Sequence, residues 1–300
     1  MAHLKLSFEL PGADAEPAEA LLFETGAVSV GYFDAGDAPI HEPAPGATPL
    51  WPAVKVEALY PAEADPLLLE AVLRARFHSF PTLRFTTVDD RVWEREWLRD
   101  FRCMRFGQRL WVCPAGQRPA DPDAVIVDLD PGLAFGTGTH ATTALCLEWL
   151  DGAPLAGSSV LDYGSGSGIL GIAALRLGAA DVLAIDIDPQ AREATRCNAQ
   201  RNAVADRLEV ADANAPLAAK RDIVLANILA GPLVDLARRL AGALRPEGHI
   251  VLSGILESQA ATVIEAYRAW FDLDPLELRD GWARISGRRT ADAHTERSSC

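Results

Sequence analysis

The chain has 300 residues, a formal net charge of −14, and 49% hydrophobic and 23% charged residues. That length has room for about two domains with cores of their own. The acid excess argues against direct nucleic-acid binding, which rests on Lys and Arg neutralising phosphates, and suits a basic protein partner. The five cysteines, Cys103, Cys113, Cys146, Cys197 and Cys300, contain no CxxC pair. Neither a metal site nor a disulfide framework follows from their spacing, and a reducing cytoplasm fits them. The opening residues lack a signal-peptide core and no apolar run is long enough to span a bilayer, so a soluble protein without membrane association is expected.

Period-two alternation predicts a first strand at His3 to Leu10 (Leu4, Leu6, Phe8, Leu10). A helix at Pro17 to Phe23 stops at Gly26, a residue suited to a C-terminal cap. Strands follow at Ala27 to Phe33 and, beyond a proline-rich acidic loop at Asp34 to Pro49, at Ala53 to Tyr60. Asp65-Pro66 starts a second helix with an N-cap and a first-turn proline, and Leu83 to Val88 closes the set. The order β-α-β-β-α-β is that of a ferredoxin-like α+β domain, assigned here to residues 1–90. Nothing in it has catalytic spacing, and His41 and His78 stand alone. Residues 91–104 read as a linker helix, with Trp93, Trp97 and Phe101 on one stripe.

Strand candidates at Arg109 to Cys113 and Val125 to Leu129 lead into a second domain over residues 105–286. From Leu145 onward helix and strand patterns alternate, with strands at Val160, Val182, Arg207 to Val210, Asp222 to Ala226 and His249 to Ser253, and helices from Asp188-Pro189, Pro232 and Glu257. Such alternation implies a mostly parallel sheet with helices on both faces and ligands beyond the strands' C-terminal ends. Asp162, Asp186, Asp212 and Asn227 all fall at predicted strand ends. Residues 287–300 read as a disordered tail.

Three segments carry the chemistry. Val160 to Asp188 runs strand, glycine turn (Gly164-Ser165-Gly166-Ser167-Gly168), helix, strand, acid. Glycines let backbone approach a ligand, and an acid at the second strand tip can hold two ribose hydroxyls. Packing glycines, a dinucleotide site and an S-adenosylmethionine site all share this pattern. Asp162, two residues before the first glycine, would crowd a pyrophosphate and suits a cationic ligand, which favours S-adenosylmethionine. Asp128 to Thr143 (DLDPGLAFGTGTHATT) is a hydroxyl-rich glycine loop leading into a helix, read as a lid over the cofactor's amino-acid end. Ala226 to Leu236 (ANILAGPLVDL) sets Asn227 at a strand tip, where its amide oxygen can orient an amine lone pair.

Together with VLSGIL (Val251 to Leu256), these motifs resemble the PrmA family, the methyltransferases of ribosomal protein L-eleven. Two positions depart from the family pattern: Ala141 stands where proline is usual and Ser165 where cysteine is common. The resemblance implies a Rossmann-like class I methyltransferase domain behind a substrate-recognition domain. It implies S-adenosyl-L-methionine as cofactor and trimethylation of lysine side chains and the N-terminal amine of a basic large-subunit ribosomal protein, by a cytoplasmic monomer. Carried onto this sequence, cofactor contacts fall on Thr143, Gly164, Asp186 and Asn227. Phe135, His140 and Thr142 belong to the lid, and Gly166 and Asp162 to the turn. Asn227, with the backbone of Ile228 and Leu229, forms the catalytic acceptor slot.

Overall fold

The computed structural model describes residues 3–36, 49–76, 82–88, 102–114, 116–129, 140–217 and 219–291. Residues 91–101 of the predicted linker helix, with Trp93, Trp97 and Phe101, the histidines His41 and His78, and Phe135 with the lid glycines lie outside the described residues. The helix reading is corrected at its end, where Met104 opens a strand. The chain divides into two compact units, Met1–Trp93 and Glu94–Cys300.

In the first unit, β1 (His3–Pro11), α1 (Ala15–Glu24), β2 (Ser29–Asp34), β3 (Ala53–Pro61), α2 (Pro66–Arg76) and β4 (Arg84–Val88) follow one another. The sheet order is β2-β3-β1-β4, and every neighbouring pair is antiparallel. Alternation sorts the faces. Leu4, Leu6, Phe8 and Leu10 of β1 and Val54, Val56, Ala58 and Tyr60 of β3 turn inward, onto Leu21 and Leu22 of α1 and Leu69 and Leu73 of α2. This is the ferredoxin-like arrangement. Helix α1 begins at Ala15, ahead of Pro17, because proline is tolerated throughout the first turn, where its missing N–H has no helical acceptor.

The second unit opens with β5 (Met104–Phe106), β6 (Leu110–Pro114) and β7 (Val125–Leu129), a three-stranded sheet. Spacing predicts no disulfide, yet Cys103 and Cys113 form one. They flank the Met104↔Val112 pair of the β5–β6 hairpin, a proximity created by strand register rather than by any sequence motif. Then come α3 (Ala141–Gly152), β8 (Ser159–Tyr163), α4 (Ile169–Arg176), β9 (Asp181–Asp186), α5 (Pro189–Arg201), β10 (Leu208–Asp212), β11 (Arg221–Asn227), α6 (Ala230–Ala243), β12 (Leu244–Leu256), α7 (Ala260–Tyr267), β13 (Phe271–Leu273), β14 (Glu277–Arg279) and β15 (Trp282–Arg289).

The main sheet runs β10-β9-β8-β11-β12-β15-β13, with β14 paired to β15. Strands β8 to β12 are mutually parallel, while β15 runs antiparallel between β12 and β13. Side chains alternate between two cores. Val160, Val182 and Leu225 face α3 and α4, whereas Leu161, Ile185 and Val224 face α6 and α7. After β8 the chain builds outward to β9 and β10 on one side and to β11 and β12 on the other. The switch point at β8/β11 is where such sheets open a crevice beyond their C-terminal ends.

The reading of a tail from Gly287 is corrected by β15, which continues through Arg289. Gly287 pairs with Ile250 on one side and Leu273 on the other. A Cβ there would sit 2.6 Å from the Asp272 carbonyl oxygen. The glycine marks close strand packing, not the end of structure.

Candidate active site

Strand β8 ends at Tyr163, and the chain turns through Gly164 and Gly168, both at positive φ (76° and 80°). A Cβ on Gly164 would come within 2.3 Å of Ile228 Cγ2, so only glycine lets the tips of β8 and β11 approach this closely. The Gly164 and Ser165 N–H groups donate to Ile185 O at 2.7 and 3.0 Å, fastening the turn to β9.

Asp186, at the tip of β9, accepts from the Gly166 N–H at 2.8 Å through one oxygen and from the Asp188 N–H at 2.9 Å through the other. A carboxylate offers about four lone-pair sites, so acceptors remain for two hydroxyls. Ile187 follows it, 80% exposed, an apolar surface beside a charged tip. Arg192 of α5 donates to Asp186 O, Ile187 O and the Asp212 carboxylate at 2.9 to 3.0 Å. It ties together the tips of β9 and β10, which pair at Asp212↔Asp186. The Asn214 N–H, helped by Arg192, holds the Asp212 carboxyl below its usual range. Arg239 of α6 donates to Ala213 O and Ala215 O at 2.8 and 3.0 Å and lies 5.5 Å from the Tyr163 ring centroid, fixing the next loop.

Asp162 is 1% exposed. Its Oδ2 accepts from the Gly171 N–H at 2.9 Å, inside the β8–α4 junction. Burial pushes its pKa up to about 7; the Gly171 N–H opposes the rise and the Asp186 charge adds to it. Gly171 is dictated by this contact, since a Cβ would lie 3.1 Å from Asp162 Oδ2 and 2.9 Å from Val182 Cγ1.

On the other side of the switch point, Asn227 ends β11. Its Nδ2 donates to Thr143 Oγ1 at 3.3 Å, and Thr143 is buried in the first turn of α3. His140 caps that helix, with Nδ1 accepting from the Thr142 N–H at 3.4 Å and lying 2.8 Å from Thr142 Oγ1. Its ring stands edge-on to Trp282 at 4.7 Å. Leu229 is 49% exposed, and its carbonyl already accepts from the Leu233 N–H at the start of α6. A Cβ on Gly254 of β12 would fall 2.4 Å from Ile228 O, so this glycine seats the Ile228 backbone.

Most described site residues line up along the strand tips, Asp186 to Gly166, Gly164 to Ile228 and Asn227 to Thr143, while Asp162 stands apart, committed to the Gly171 N–H. The residues suit an adenosyl cofactor: Gly164 brings the two strand tips together at the crevice, Asp186 keeps free acceptors for a ribose, and Ile187 offers an apolar face for a base. Motif reading alone misses Ile187, Arg192, Arg239 and Gly254. An arginine six residues after an acid-tipped strand is the one signal that points to Arg192.

A family model described as "Ribosomal protein L11 methyltransferase (PrmA)" matches residues 2–290. A protein of that name from Methylococcus capsulatus is 54% identical over 280 residues, 92% of this chain and 96% of the relative. One from Pseudomonas putida is 52% identical over 291 residues, 96% of this chain and 100% of the relative. A crystal structure titled ribosomal protein L11 methylase, from Lactobacillus delbrueckii subsp. bulgaricus, is 33% identical with a TM-score of 0.57, covering 63% of this chain and all of that one. With a whole-length family match and relatives above half identity, the chain belongs to the ribosomal protein L11 methyltransferase family.

Proposed function

We propose that this enzyme transfers methyl groups from S-adenosylmethionine to lysine side chains and the N-terminal amine of the large-subunit ribosomal protein for which its relatives are named, trimethylating each. The observation that carries the reading is Asn227. Its amide nitrogen is taken by Thr143, which leaves Oδ1 as a neutral acceptor at the tip of β11. A neutral acceptor orients an amine without holding its proton as a carboxylate would.

The cofactor supplies an electrophilic methyl group on a cationic sulfur. The protein's part is to bind, orient and neutralise the amine. A free lysine amine has a pKa of about 10.4 and must lose its proton before it attacks. An apolar entrance at Ile228 and Leu229 beside a positive charge lowers that pKa by desolvation and like-charge repulsion. The proton leaves to water, since no side chain at the slot has a base's geometry among the described residues. Catalysis then consists of holding nitrogen about 3–3.5 Å from the methyl carbon in line. Small neighbours, Ala230 and Gly231, give a growing amine room for repeated transfer.

In this reading the first unit recognises the protein substrate. The enzyme works as a cytoplasmic monomer, away from nucleic acid and membrane, and the net charge of −14 favours a basic protein. Incubation of the purified enzyme with methyl-labelled cofactor and cell extract tests it. A single labelled ribosomal protein, gaining three methyls per amine by mass spectrometry, is the expected product. Label in a small molecule, in a different protein or nowhere would displace the reading.

A further inference from the structure

Helix α5 and its C-cap bury three polar side chains, Thr195, Asn198 and the capping Asn202, at i, i+3 and i+7. Core-facing positions are normally apolar, and a buried polar group is costly unless it is hydrogen-bonded. Each of these is bonded to backbone outside its own helix. Thr195 Oγ1 donates to Gly166 O at 3.0 Å. Asn198 Nδ2 donates to Ser167 O at 2.9 Å. Asn202 takes both backbone groups of Asp128, accepting from its N–H at 2.8 Å and donating to its carbonyl at 2.7 Å. The recipients are the glycine turn and the end of β7, the two segments that lead into the cofactor motifs.

A trans peptide points its C=O and its N–H in opposite directions. Drawing the Gly166 carbonyl back onto α5 therefore turns the following Ser167 N–H away from α5. Gly168 fits the same arrangement, because a Cβ there would meet Thr195 Cγ2 at 2.8 Å. We propose that Thr195 and Asn198 are positioning residues of the cofactor site. They touch no cofactor themselves and hold the Gly164–Gly168 turn in the conformation that receives it, with Asn202 extending the same row to β7. The proposal rests on placing the cofactor at that turn.

Calorimetric dissociation constants for S-adenosylmethionine and S-adenosylhomocysteine, each with a melting temperature, test it on the full chain. Thr195→Val keeps the shape and removes the hydroxyl; Thr195→Ser keeps the hydroxyl and removes the methyl. The valine variant leaves the Gly166 carbonyl unsatisfied and also removes the 3.2 Å contact of the Thr195 hydroxyl with Ser165 Oγ. It is expected to weaken both ligands about tenfold while serine stays within about twofold. Asn198→Leu reads the neighbouring carbonyl independently and is expected to weaken binding alike. Wild-type constants in the valine and leucine variants, with only the melting temperature lowered, would make the row a structural feature and overturn the proposal. So would a serine variant as weak as the valine. Asp186→Ala separates the two levels: wild-type affinity there, beside a weakened Thr195→Val, removes Asp186 from the site and leaves the clamp standing.

Discussion

In the proposed function, one hydrogen bond decides which end of the Asn227 amide is offered to the amine. With Nδ2 on Thr143 the oxygen is presented, so Asn227→Ala is expected to lower the single-turnover rate about 10- to 100-fold at saturating cofactor, the range for a lost orienting contact. An unchanged rate would leave Asn227 as a strand-end residue only. Asp162 makes a different kind of prediction. Its folded pKa, about 7, lies above its ordinary value of 3.8. The folded state therefore holds a proton that the unfolded chain releases, and the contribution to stability is full below pH 3.8 and lost as pH rises through 7. Asp162→Asn keeps an oxygen for the Gly171 N–H and removes the titration. The melting temperature of the wild type relative to this variant should fall between about pH 4 and 7 and level off above; a flat difference would mean the carboxyl is ionised throughout. The identity of these tip residues is legible in the sequence, because strand ends and residue types are. What Asp162 touches is not, since its commitment to the Gly171 N–H depends on how closely α4 packs on β8. Arg239 and the Arg192–Asp212 contact escape for a related reason: their partners are brought near by neighbouring strand tips at least 20 residues away in sequence.

Elements were readable where their pattern is long. The alternation of β1 and β3 and the apolar runs of β8, β9 and β11 each bury one face or both, and the sequence carries that burial directly. Strands β13 and β14, at three residues each, are too short to show a period and exist by pairing with β15. The end of β15 was hidden because Gly287 resembles a breaker until β13 is seen crossing beside it. Gly254 presents the same problem inside β12, and there the consequence is functional. At φ +82°, with Ile228 O 2.4 Å from any added Cβ, the position excludes every other residue without movement of the Ile228 backbone. Gly254→Ala is expected to push the slot out of line and reduce kcat by at least about tenfold, because displacements near 1 Å cost about 100-fold. Cofactor affinity should change less, since Asp186 and its Gly166 contact lie at the β8–β9 tips while Gly254 bears on the Ile228 backbone. Steady-state kinetics varying each substrate separate the two effects; a loss confined to cofactor KM would contradict this assignment of the β12 glycine.

At the scale of the whole chain, each unit carries its own core. Leu6, Leu22, Val56 and Leu73 anchor the first, while two clusters on either face of the main sheet anchor the second. Every described residue of the candidate site, from His140 to Gly254, belongs to the second unit. The first contributes a four-stranded sheet with helices on one face and no catalytic arrangement among its described residues. In the proposed function a slot at Asn227 would meet only an amine and a short stem, too little chemistry to pick one protein among many, and the first unit would supply the second contact. Removing residues 1–88 is therefore expected to leave a module that melts cooperatively and binds S-adenosylmethionine within about threefold of the full chain, a small change on the tenfold scale of about 1.4 kcal/mol. The same module should lose at least about 100-fold in kcat/KM toward the ribosomal protein, the loss of uniform binding energy that a recognition surface provides. Mass spectrometry of the ribosomal protein over time, with the cofactor-competent module and the full chain side by side, reads this directly. Trimethylation at the full-chain rate would place recognition in the second unit and remove that role from the ferredoxin-like one.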